Sequence, residues 1–261
     1  MKTSIKLALL LLGLVAYQAQ AQKSVSPQEI IQLLDAGKDI SFKDMKITGD
    51  LDFTKVADRE KERQKGDWNW GDSQDNYRCH VRNKVSFVNC VFTGEVIGYL
   101  NIEKSKRDHE LYNVDFHDEV VFQNCKFEED VNFKYSEFDK GALFAKSIFD
   151  EEAFFKYTEF KGKTDFSNSN FSGEATFKYT KFPKGVDFAN SQFNEDAVFK
   201  YTKFPKGVSF ANTTFRREAN FKYAKFSDPA NFKNTDFGKD PDFKYTTMNG
   251  SNFVNYLIKN R

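Results

Sequence analysis

A chain of 261 residues with 39 basic and 38 acidic side chains is close to neutral, so no general pull toward nucleic acid or an acidic surface is expected. Three cysteines do not make a disulfide framework, and the length suits one domain with a sizeable core. Phenylalanine is the outlier, with 30 residues.

Residues 1–21 read as a secretory signal peptide. Lys2 and Lys6 form a basic start, Leu7 to Val15 an apolar run, and Ala19-Gln20-Ala21 a small-residue cleavage site near Ala21. The apolar run is short for a membrane span. A secreted or periplasmic location in a cell envelope is the expectation. Removing Lys2 and Lys6 leaves 37 basic against 38 acidic groups, a formal charge of −1.

Residues 22–39 predict a capping helix. In Ser26-Pro27-Gln28-Glu29, Ser26 caps, Pro27 takes the first helical position and Glu29 completes a capping box. Ile30, Ile31, Leu33 and Leu34 give an apolar face, and Gly37 is the stop, so the helix is expected over Pro27 to Ala36.

Residues 40–254 carry a repeat. Its first inward set is Phe42, Ile47 and Phe53, followed by a polar insertion at about 54–84. The ladder resumes at Phe87 and Phe92, is interrupted again at about 98–110, and returns at Leu111 and Phe116. From Phe122 to Met248 the spacing alternates between five and six, Phe253 follows after a further step of five, and 24 of the 25 positions are Phe, Met248 being the exception. Two steps of each make a 22-residue period. A step of five fits neither a helix nor a long strand; it fits a chain that turns a corner every few residues. Two residues before nearly every Phe lies a small or β-branched residue, such as Ala153, Thr158, Thr164 and Ser169, pointing the same way.

The units AVFKY, TKFPK, VSFAN and TTFRR resemble the pentapeptide-repeat family, in which a small residue, a polar residue, a central Leu or Phe and two variable residues recur. The resemblance runs from roughly Ile40 to Phe253. It implies an all-β solenoid, a right-handed quadrilateral β-helix, here with a short N-terminal α-helical cap. The departures are the near-exclusive Phe and a coil longer than the family's common form. Some members resemble a DNA duplex and act on DNA-binding enzymes; those are acidic and cytoplasmic, so no nucleic-acid role is expected here. Residues 255–261 are expected as a tail, with Tyr256, Leu257 and Ile258 closing the rod or meeting another copy end to end.

The insertions are expected to leave the rod, and long loops on rigid scaffolds often carry function. Trp68 and Trp70 are candidate ligand contacts. Removing the second insertion stacks VSFVNCVF on VVFQNCKF, which places Cys90 beside Cys125 and makes a disulfide possible alongside two reduced, buried thiols. Cys79, His80, His109 and His117 lack metal-ligand spacing, so neither a metal nor a cofactor is expected.

Residues 22 apart share a face. Tyr135, Tyr157, Tyr179, Tyr201, Tyr223 and Tyr245 form one row, beside Lys134, Lys156, Lys178, Lys200, Lys222 and Lys244. Asn168, Asn190, Asn212 and Asn234 form another, and Glu152, Glu174, Asp196, Glu218 and Asp240 an acidic one. Such rows follow from stacking and duplication alone; read functionally, the tyrosine–lysine row is a flat recognition face for a protein or an envelope glycan, with Tyr rings on sugar faces. The carboxylates show no pair with divided roles, so catalysis is not expected; an enzyme site in the insertions is the third reading. The leading expectation is an exported, non-enzymatic binding or scaffolding protein.

Overall fold

The computed structural model describes residues 23–62, 73–105, 108–239 and 241–260. The signal-peptide reading, Trp68, Trp70 and Asp240 lie outside them.

Helix α1 spans Pro27–Asp35. The Ser26 hydroxyl accepts from Glu29 N at 3.1 Å, and Ile30 and Leu34 are buried. Gly37, at φ 70°, ends it: Gly37 N donates to Leu34 O and Lys38 N to Leu33 O, a left-handed cap that glycine enters without strain.

Beyond it the chain winds as a right-handed quadrilateral β-helix. Most strands are two residues long and pair in parallel with the next coil, as Ala153 with Ala175 and then Ala197, or Phe149 with Phe171 and then Phe193. Two faces carry eight-stranded sheets and a third a seven-stranded one. The fourth is two sheets joined through bridges of Lys181 to Glu159 and Lys203.

Phenylalanine fills the axis because a narrow tube admits one large side chain per face per coil. The rings form four columns, with successive centroids 4.6–5.6 Å apart in the regular coils. Columns on opposite faces interleave edge to face, as Phe177 with Phe166 and Phe188. Both arrangements suit the ring quadrupole.

The small inward positions have a second task. The Thr180 hydroxyl donates to Phe155 O at 2.6 Å, Thr202 to Phe177 O at 2.6 Å and Ser191 to Phe166 O at 2.7 Å, each bond tying a coil to the one before. Thr180→Val keeps the shape and removes one such bond. It is expected to cost about 1 kcal/mol in chemical denaturation, with the fold retained.

The cysteines follow the same rule. Cys90 and Cys125 do occupy stacked positions, since Phe87 pairs with Phe122 and Val88 with Gln123. Yet all three cysteines are free and buried, and the bridge allowed by the spacing is not made. The Cys125 thiol instead donates to Phe87 O at 3.4 Å, as Ser147 one coil on donates to Phe122 O at 2.7 Å. The thiols stand where hydroxyls serve elsewhere. Unfolding without reductant should therefore release three titratable thiols per chain; one thiol would mean a disulfide.

The described residues of the two insertions fold as a wing. Arg59–Lys61 runs antiparallel to Ser73–Val81, and Tyr99–Ser105 antiparallel to Asp108–Phe116. The two nine-residue strands lie side by side in parallel, from Ser73 with Asp108 to Val81 with Phe116. Their C-terminal ends belong to the rod, where Asp115 and Phe116 pair with Glu137 and Phe138. Tyr77 stacks on Tyr112 at 4.7 Å within the wing.

The C-terminal residues, expected as a tail, form helix α2, Phe253–Asn260. Phe253 stacks on Phe226 at 4.7 Å, and the Tyr256 hydroxyl donates to Ala230 O at 2.9 Å. Phe253, Tyr256 and Leu257 share one helical face, so the helix packs across the open coil as α1 does at the other end.

Candidate functional site: the lysine–tyrosine face

Six coils turn one corner through Phe-Lys-Tyr followed by Ser, Thr or Ala. In Phe155 to Thr158, Thr158 N donates back to Phe155 O at 3.2 Å and Tyr157 has φ 61°. The third turn position with positive φ is one that glycine or asparagine prefers. A second corner follows that preference in four coils, where Asn168, Asn190, Asn212 and Asn234 have φ of 56–59°, while Lys146 takes the same position one coil earlier at 63°. At the first corner Tyr135, Tyr157, Tyr179, Tyr201, Tyr223 and Tyr245 hold φ of 58–62°. Left-handed backbone costs a bulky residue about 1–2 kcal/mol.

The rings offset that cost. Consecutive tyrosines from Tyr135 to Tyr245 stack with centroids 4.6–4.8 Å apart and planes within 15°. Each stacked pair contributes about 0.5–1.5 kcal/mol beyond area burial. Tyr99, at the foot of the wing, extends the row, its ring 5.5 Å from that of Tyr135. Sequence spacing missed Tyr99 because it lies inside an insertion.

The lysines are part of the same construction. Lys156, Lys178, Lys200, Lys222 and Lys244 place Nζ 5.2–5.6 Å from the ring of the following tyrosine. Lys134 lies 5.5 Å from the Tyr99 ring. Burial pushes the Tyr99 and Tyr135 phenols above their ordinary value.

This geometry changes what the row can do. Ring faces spent on neighbouring rings are closed to a sugar, so stacking of sugars along the ladder does not fit. What the ladder presents is ring edges, hydroxyls and a line of ammonium groups at the coil repeat. Tyr135 and Tyr157 are about 40% exposed, and Tyr245, the last in the stack, 61%.

The other rows are turned inward on themselves. Asn212 Nδ2 donates to Asn190 Oδ1 and Asn234 Nδ2 to Asn212 Oδ1, both at 3.0 Å. In the acidic row, Asp196 Oδ1 accepts from Glu218 N at 3.2 Å. Asp130, one coil before Glu152, likewise accepts from Glu152 N at 3.1 Å.

The histidines come together more than their spacing suggests. His80 Nδ1 and His117 Nε2 are 3.0 Å apart, and His117 Nδ1 is 2.7 Å from Asp139 Oδ2. Cys79 is turned away, bonding Thr54 O at 3.4 Å, and burial pushes its thiol up to about 11. Among the described residues, no group of three or more His, Cys, Asp or Glu is placed to hold a metal.

No match was found among curated proteins or among solved structures. The family described as pentapeptide repeats (9 copies) matches residues 111–158, 155–203 and 210–255, more than half of the chain. With that match, and with coils closed on four sides by short parallel strands, the chain belongs to the pentapeptide-repeat family.

Proposed function

We propose that the chain is an exported, non-enzymatic binding or scaffolding protein of a bacterial envelope, and that its contact surface is the lysine–tyrosine face. Family membership points to a repeat protein that works by interaction. The leader-like residues Lys2 to Ala21 support export. The observation that carries the reading is the conformation of the tyrosines. Six coils keep a bulky ring at a corner where asparagine is at ease and is used on another corner. The ring is therefore the feature retained, and its exposed edge is repeated at the coil spacing beside a lysine.

Asparagine is the discriminating replacement, because it suits the left-handed corner while removing the phenol. The triple variant Tyr157→Asn, Tyr179→Asn and Tyr201→Asn should stay folded, with relief of the corners balancing part of the lost stacking. The reading expects the wild-type protein to be retained on washed envelope fractions at low salt and the variant to wash through. Equal retention of the two would remove the tyrosine row as the contact surface.

A further inference from the structure

Where the wing leaves the rod, the two enclose a groove of about 340 Å3, with Glu62, Arg78 and Asn113 on the wing side and Tyr135, Glu137 and Tyr157 on the rod side. That volume lies at the lower end of the roughly 300–1,000 Å3 of small-ligand sites.

The charges of the groove are already matched. Arg78 donates to Glu62 at 2.5 Å and to Asp115 at 2.9 Å. Glu137 pairs with Lys161 at 2.6 Å, and Glu159 with Lys181 at 2.8 Å. A strongly charged ligand would have to break these pairs, whereas a neutral one need not. Asn113 is 8% exposed, and its Oδ1 is buried with no hydrogen-bond partner among the described residues. A buried acceptor left unpaired is costly and calls for a donor. Asn113 lines the groove, and because the terminal torsion of asparagine is broad, a ligand donor would need only to turn the amide to meet its oxygen.

Guanidinium, carboxylates and amides are planar groups that offer hydrogen bonds in fixed directions, and the phenol hydroxyls of Tyr135 and Tyr157 add groups that both donate and accept. Neighbouring hydroxyls on a sugar ring present the complementary pattern of one donor beside one acceptor, without charge. We propose that this groove is a saccharide site that takes one or two units of a neutral, hydroxyl-rich glycan, with a sugar hydroxyl on the Asn113 amide. The proposal rests on the reading of the lysine–tyrosine face as a contact surface, and moves sugar contact from the ring faces to one end of that face.

The test titrates the folded protein with cellobiose, maltose and N,N′-diacetylchitobiose, and with a lysine-rich peptide and a heparin fragment as charged probes. The expected result is binding of at least one disaccharide at about 1 mM or tighter. Ring resonances of Tyr135 and Tyr157 should move and those of Tyr223 should not. Asn113→Val should weaken binding about tenfold through the lost hydrogen bond, and Arg216→Ala, an exposed side chain away from both the groove and the tyrosine row, should leave it unchanged. The ring shifts need no variant, so they decide the matter even if Asn113→Val misfolds. Binding of the charged probes alone, no shift with any disaccharide, or undiminished binding by folded Asn113→Val would overturn the proposal. Envelope retention of the same samples separates the two ideas: retention without disaccharide binding removes the groove and leaves the face standing, while disaccharide binding without retention does the reverse.

Discussion

Phe177→Ala is expected to destabilise the rod by about 3–5 kcal/mol, the range for a fully buried aromatic cut back to a methyl group. Phe177 lies in the middle of its column, with Phe155 at 5.1 Å below and Phe199 at 5.0 Å above. It also meets Phe166 and Phe188 edge to face, at 5.4 and 5.2 Å. The neighbours cannot collapse into the hole, because each is fixed by its own column and its backbone by the strands on either side. A stack of repeats is held by nearest-neighbour contacts, so a defect at its centre uncouples the two halves. Denaturation followed by circular dichroism should show a lower midpoint and a broader or divided transition. Phe177→Leu, which keeps most of the apolar volume, should lose less. A shift of under about 1 kcal/mol for the alanine variant would mean that the columns are not the source of stability.

Gly162→Ala is the second large effect, with a different cause. Gly162 backs onto the corner of the preceding coil, and a Cβ there would lie 1.9 Å from Lys140 O and 2.0 Å from Lys140 C. The obstacle is backbone, which pairs across the same sheet from Gly141 with Lys163 to Leu143 with Asp165. Gly141, with φ 84°, faces the reciprocal clash, its Cβ 2.0 Å from Lys163 O. The coils must separate locally to admit the methyl group, at a cost of about 3 kcal/mol or more. Gly37 supplies the control: its φ is 70°, and a Cβ there meets nothing within 4 Å. Gly37→Asn should stay within about 0.5 kcal/mol, since asparagine accepts the left-handed region. A cost at Gly162 no larger than at Gly37 would remove close approach as the reason for glycine at that corner.

The rod was legible in the sequence because its constraint repeats. A tube one ring wide asks for the same residue on every face, so Phe at alternating steps of five and six reports the coil directly. The same arithmetic placed Cys90 on Cys125 across a 13-residue insertion, although it left their bonding open. The wing was hidden because its strands alternate apolar and polar over only part of their length. Cys79, Val81, Val114 and Phe116 are buried, while Gln74 to Arg78 and His109 to Tyr112 carry mostly polar residues that read as loop. Helix α2 was hidden by its brevity, since Phe253, Tyr256 and Leu257 give barely two turns of pattern.

The tyrosine row was visible, but not the direction of its rings. Coils about 4.8 Å apart leave no room for a sugar between two rings, so a row at that spacing must close its own faces. The positive φ at each tyrosine was equally invisible, since the residue type argues against it. Where local preference is overruled at the same corner of six coils, the side chain itself is the feature to explain.

The most direct test of the lysine–tyrosine face places a photo-crosslinking phenylalanine analogue at Tyr157 or at Asn168. Both are exposed left-handed corners of the same coil, with φ of 61° and 59°. Irradiation in contact with envelope fractions is expected to give adducts from position 157 and few from position 168. Equal labelling from the two corners, or none from 157, would contradict the face as the contact surface.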